Sequence, residues 1–258
     1  MSKFLSSIDQ YITDGSKSLK GPQMAAMASA VIRIITTGGS IIIGLIQGNG
    51  GSKCTYQDVV NFNVECIASI WYSRASQHGW NTFFNILDCV AMILMIWVFD
   101  GLRTINKDKD VGTVMVQSMQ LATTIGVVSS LLESGIASAT SWIAGAWGGL
   151  QDKRWFADLE IAYVFSRNSF SWLYTIDDLI MVVPYFWSYI LCHNNDRIPE
   201  GFARKGLVLA IISFFFFFSG VVQLRGAWGI VMLIVAIIYI IYRFIWLFYA
   251  FSIFKRME

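Results

Sequence analysis

WGIVMLIVAIIYIIYRFIWLFYA, residues 228–250, carries a single charge, Arg243, in an otherwise apolar run. As a helix it rises about 34 Å, at about 1.5 Å per residue, enough to cross the ~30 Å hydrocarbon core of a bilayer. A helix at the surface of a soluble protein keeps one polar face. Here aromatic and aliphatic side chains cover every side. Lipid is therefore the solvent, and the segment reads as a transmembrane helix.

Five further stretches share this character. The expected spans lie near 24–46, 82–99, 113–132, 172–192, 206–223 and 228–250. The fold class expected is thus all-α: a polytopic transmembrane helix bundle of about six spans, with an N-terminal amphipathic helix and one interfacial helix. The whole bundle occupies 24–250, between an amphipathic segment at 1–23 and a short basic tail at 251–258. Within 3–14, Phe4, Ile8, Tyr11 and Ile12 recur at helical spacing between Ser2 and Gly15, which suits a helix lying in the headgroup region or against a partner. The first apolar run is too long for a cleavable signal and reads as a retained anchor.

Three regions need separate treatment. Residues 113–149 hold one charge, Glu133, and exceed the ~20 residues of an ordinary span. They form either a span with a helical extension to 149 or a span with a re-entrant turn near Glu133-Ser134-Gly135. Residues 152–171 mix charge with Trp155, Phe156, Tyr163 and Phe165, as an interfacial helix in an aromatic belt does. Pro184 falls inside the fourth span and is expected to kink it. The last two spans, joined by a tight turn around Arg225, are expected to form an antiparallel hairpin.

The composition agrees with lipid as solvent. Of 258 residues 55% are hydrophobic and 14% charged, against about 25% charged in soluble domains. A formal net charge of +2, with the basic residues spread through the loops, argues against nucleic acid as a partner. With both ends inside, the inner segments hold eleven Lys and Arg and the outer ones six. If 113–149 crosses twice, the split falls to ten and seven. The positive-inside rule thus favours cytoplasmic termini.

Cys54 and Cys66 share one predicted loop: a disulfide if that side is oxidising, otherwise two free thiols. Cys89 and Cys192 fall in or beside apolar segments, as small hydrophobic residues. No H-E-x-x-H, Walker, G-x-S-x-G or dinucleotide-binding pattern occurs, so neither an enzyme nor a cofactor is indicated. His78 and His193 stand alone in loops, and no metal is expected.

Two patterns carry functional weight. Ala122, Gly126, Ser130, Ser134 and Ser138 recur every fourth residue, as do Ala137, Ser141, Gly145 and Gly149. Gly44 and Gly48 repeat the spacing in the first span. Such ridges let helix backbones approach closely, inside the chain or against a second subunit. The other pattern is charge at membrane depth, costly unless it faces protein or water. Depth arithmetic brings Arg33 and Asp88 within reach of one another, as an intramembrane ion pair. Asp88, Glu133, Asp177 and Asp178 fall toward one side and together suggest an ion or proton site, unless the segment ends lie a turn away. The function expected is a non-enzymatic membrane subunit that packs with itself or with other membrane proteins. The alternative is a channel or transporter for a cation or small solute that uses these carboxylates.

Overall fold

The computed structural model describes residues 18–48, 61, 63–106, 108–147, 154–222 and 228–258. Among them are six α-helices and no strand: α1 (Lys20–Gly48), α2 (Val64–Ile105), α3 (Lys109–Trp147), α4 (Trp155–His193), α5 (Glu200–Val222) and α6 (Trp228–Met257). Each contains a segment long and apolar enough to cross a membrane. The chain is a multi-pass integral membrane protein built as an all-α bundle. Helices adjacent in sequence lie side by side. α6 packs on both α1 and α5 and so closes the circuit, while α2 touches α4 across it.

Several elements run further than hydropathy alone predicts. α2 starts at Val64 rather than near Thr82, because Asn63 caps it: its Oδ1 accepts from the Cys66 N–H at 3.3 Å, with Glu65 in the first turn. An acceptor and a negative charge there satisfy the free N–H groups of a helix start. α3 passes unbroken through Glu133-Ser134-Gly135, which makes 113–147 one span with a helical extension and not a re-entrant hairpin. The stretch expected as a separate interfacial helix is, from Trp155 onward, the first half of α4. The reason is local: no glycine or proline occurs between Arg154 and Val183 to interrupt it. Pro184 is buried inside the same unbroken helix.

At 42 residues α2 is about 63 Å long, roughly twice the hydrocarbon thickness. α3 and α4 have 39 residues each and project with it. The projecting ends share a core of their own, made by Ile67, Ala68 and Trp71 of α2, Ala144 of α3, and Phe156 and Leu159 of α4. The main core lies nearer the opposite end, called the inner end, where Ile105, Lys109, His193, Glu200 and Met257 sit. There Trp246 of α6 is surrounded by the rings of Phe99, Tyr185 and Phe202, with centroids at 5.3, 5.7 and 5.1 Å. Asn195 Nδ2 donates to the Ile105 carbonyl at 3.2 Å and to Asn106 Oδ1 at 3.0 Å. These bonds tie the two inner turns together.

α4 and α5 meet along a seam of small residues. A Cβ on Gly206 would lie 2.7 Å from Ser188 Oγ and 3.2 Å from the Tyr185 carbonyl; one on Gly220 would lie 2.5 Å from Thr175 Oγ1. Ser213, between them at seven-residue intervals, is fully buried. α5 and α6 touch as the expected hairpin would, through Phe202–Trp246 and Phe216–Tyr239. The turn around Arg225, the 3–14 segment, Cys54 and Gly149 lie outside the described residues. Cys66, buried at the start of α2, is disulfide-bonded. Cys89 and Cys192 are buried free thiols.

Candidate intramembrane charge site

The bundle places its buried charges in one layer. Counted from the inner end of each helix, Arg33 lies 13 residues from Lys20 and Asp88 17 from Ile105. Asp177 and Asp178 lie 16 and 15 from His193, and Arg243 lies 14 from Met257. At about 1.5 Å per residue all five fall about 20–26 Å up the bundle. No other charged residue occurs in 21–48, 79–99, 111–132, 168–192, 206–222 or 228–254. The layer therefore holds two guanidinium groups and three carboxyl groups.

Arg33 Nη1 donates to Asp88 Oδ1 at 3.1 Å, joining α1 to α2. The Arg33 side chain is 11% exposed and that of Asp88 35%, so the pair has a buried cationic end and a wetter acidic end. One turn below Arg33, Ser29 Oγ donates to the Ala91 carbonyl at 3.0 Å, which holds α1 in register with α2. Across the bundle, Arg243 faces the charges of Asp88 and Asp177, and its Cζ sits 5.7 Å from the Tyr239 ring centroid. Asp178 is influenced by both Asp177 and Arg243. Beneath the charges lie the hydroxyl of Tyr185 and the Trp246 ring layer.

Gly126 of the small-residue ladder belongs to this site. A Cβ there would lie 3.0 Å from Met92 Sδ and 3.2 Å from Asp177 Oδ2. The glycine lets Asp177 of α4 rest against the α3 backbone. Of the same ridge, Ala122 and Ser134 are buried, and Ser134 Oγ accepts from Asn85 Nδ2 at 3.0 Å. This ridge is thus used inside the chain, against α2 and α4. Ser138, at the end of the first ridge, is half-buried; the second ridge is mixed, with Ser141 buried, Ala137 half-buried and Gly145 exposed with no atom within 4 Å of a Cβ.

Several buried polar atoms of the layer make no hydrogen bond: Arg33 Nε and Nη2, Asp177 Oδ1 and Arg243 Nε. Buried donors and acceptors without partners are rare and costly. Their concentration at one level marks a polar interior. Glu133 is not part of it. It lies 24 residues from Lys109, about 10 Å beyond the layer, and its Oε2 accepts from Tyr174 OH at 2.8 Å. Among the described residues no group of three or more His, Cys, Asp and Glu is arranged to hold a metal ion.

A second polar feature lies in the outer projection. Arg74 Nη1 donates to Glu160 Oε2 at 2.5 Å, and the guanidinium sits 4.8 Å from the Trp71 ring and 4.7 Å from the Tyr163 ring. Hydropathy gives no hint of this pair, which is 86 positions apart. Between α3 and α4, close by, is a cavity of about 140 Å³ lined by Glu133, Ile136, Tyr163, Phe170, Ser171 and Tyr174. Comparison with protein-family models, with curated proteins and with solved structures finds no match to this chain.

Proposed function

We propose that this membrane protein is a channel or transporter that moves a proton or small monovalent cation past the layer formed by Arg33, Asp88, Asp177, Asp178 and Arg243. The observation that carries the reading is the charge inventory of that layer. Two fixed positive charges face three carboxyl groups, so full ionisation leaves one negative charge unbalanced at membrane depth. A lone charge there costs at least about 3 kcal/mol. A proton or a monovalent cation on one carboxylate removes that cost, and exchanging it between the two sides of the membrane is the elementary act of cation translocation. The unpaired atoms of Arg33, Asp177 and Arg243 support a polar path at this level. The Arg33–Asp88 pair supplies a fixed counter-charge.

The test is flux in proteoliposomes under proton, sodium or potassium gradients. Asp177→Asn and Asp178→Asn should each reduce the wild-type flux at least tenfold. Wild-type vesicles that pass none of these ions under any gradient would refute the proposal. Assembly with itself or with other membrane subunits is the second reading, favoured by the open small-residue surface at Gly145. A monomer by native mass spectrometry after mild extraction counts against it.

A further inference from the structure

Asp178 is the carboxyl group of the charge layer that has no cation to itself. Asp88 accepts from Arg33 at 3.1 Å. Asp177 lies in the field of both Arg243 and Arg33, whereas Asp178 has Arg243 alone and shares it with Asp177. The titratable groups at this level come from three other helices: Asp88 and Cys89 from α2, Arg33 from α1, and Tyr239, Tyr242 and Arg243 from α6. α3 and α5, which also pack on α4, bring none, since the level passes through 122–126 and 213–217.

The oxygen geometry excludes a metal cation as the neutralising ion. A dehydrated sodium or potassium ion needs oxygens around it in place of its water. Asp88 Oδ1 is taken by Arg33, and Asp177 Oδ2 rests against Gly126. Asp177 and Asp178 are consecutive, so they point about 100° apart around the helix and do not converge on one ion. Both guanidinium groups stay ionised and repel a cation between them. A proton needs one oxygen only.

The inner side of Asp178 offers hydroxyl groups. Tyr185 lies seven residues inward, about two turns, on the same face of α4, and its side chain leans back toward the helix N-terminus, that is, toward Asp178. Ser213 of α5 lies 13 residues from Glu200, about 20 Å from the inner end. Both are fully buried and neither hydroxyl has a hydrogen-bond partner. A hydroxyl both donates and accepts, so it can pass a proton on. Phe99, Phe202 and Trp246, also fully buried, pack beneath at the density of protein interiors, which admits no hydrated ion.

We propose that the ion moved through the charge layer is the proton and that its seat is Asp178. The inference rests on the translocation reading above and names its substrate. A hydronium ion gives its proton to an Asp178 carboxylate oxygen and leaves as water; the reverse step releases the proton on the other side. Asp178 then carries the neutralising proton at rest, and the layer balances two guanidinium groups against two carboxylates.

The experiment uses the full chain in proteoliposomes with an entrapped pH dye and thiocyanate on both sides, so that no voltage builds up. A tenfold proton gradient should drive the same proton flux with sodium, potassium or N-methylglucamine as the salt. Asp178→Asn should lower it at least tenfold, and Asp178→Glu should keep most of it. Infrared spectra of the wild-type vesicles at neutral pH should show a carboxylic-acid C=O band that Asp178→Asn removes and added sodium or potassium leaves unchanged. Thermal melts confirm that both variants are folded. Tracer sodium or rubidium flux without proton flux overturns the inference and leaves the translocation reading standing. Absence of any ion flux overturns that reading and this inference with it. An acid band absent from wild type, or unchanged in folded Asp178→Asn, overturns the inference by itself.

Discussion

Breaking the Arg33–Asp88 pair from its two ends should give unequal results. At 3.1 Å and an effective dielectric of about 20, two unit charges attract by about 5 kcal/mol. Desolvation offsets much of this in the intact pair, yet removing one partner strands the other and costs about 3–5 kcal/mol. The two ends are not equivalent. Asp88→Leu leaves a guanidinium, 11% exposed, beside the like charge of Arg243, and should cost the full ~3–5 kcal/mol. Arg33→Met leaves a carboxyl group that is one-third exposed and can be hydrated or take up a proton; about 2 kcal/mol is expected. The double replacement Arg33→Met with Asp88→Leu strands nothing and should fall within about 1 kcal/mol of wild type. At about 2–4 °C per kcal/mol for a chain of this size, Asp88→Leu should lower the melting temperature in detergent by about 10 °C. Tryptophan fluorescence reads this directly. A double variant as unstable as the sum of the singles, or an Asp88→Leu melt within 2 °C of wild type, would refute the reasoning.

Two other expectations follow from the packing. Gly206→Ala drives a methyl against the Tyr185 carbonyl and Ser188 Oγ and should destabilise by about 1–3 kcal/mol through overpacking. Gly145→Ala meets no atom within 4 Å and should stabilise slightly, by up to about 1 kcal/mol, through helix propensity; detergent melts compare the two, and equal shifts would contradict the close α4–α5 seam. Glu160→Gln removes the charge opposite Arg74 in the outer projection. It should raise protease sensitivity of the 64–77 and 155–170 segments while the spans stay folded, and a cleavage pattern identical to wild type would show that the projection does not depend on this pair.

Much of the architecture is legible in one dimension. The runs 24–46, 206–223 and 228–250 announce spans by hydropathy; the first and last fall within a helix, and the described part of the second, to Val222, does too. Hydropathy missed the outer part of α2 and set the outer part of α4 apart as a separate helix, and the reason is physical. Three helices sharing a core each need only a narrow apolar stripe, so Val64–Gln77 and Trp155–Ser171 look mixed while being continuous with their spans. Depth arithmetic puts Arg33 and Asp88 within reach, since rise per residue is a local constant. It also grouped Glu133 with Asp88, Asp177 and Asp178, although Glu133 lies about two turns further out and bonds Tyr174.

The amino-acid sequence alone determined the solvent, the helical class and the identity of the charges that must live in lipid, because these depend on composition over about 20 neighbouring residues. Tertiary structure alone decided that Gly126 makes room for Asp177, that Arg74 meets Glu160, and that Glu133 shares a cavity with three rings. Those contacts join residues from 30 to 86 positions apart. No local pattern encodes which helix faces which. That choice is made when the whole bundle settles the side chains it can bury together.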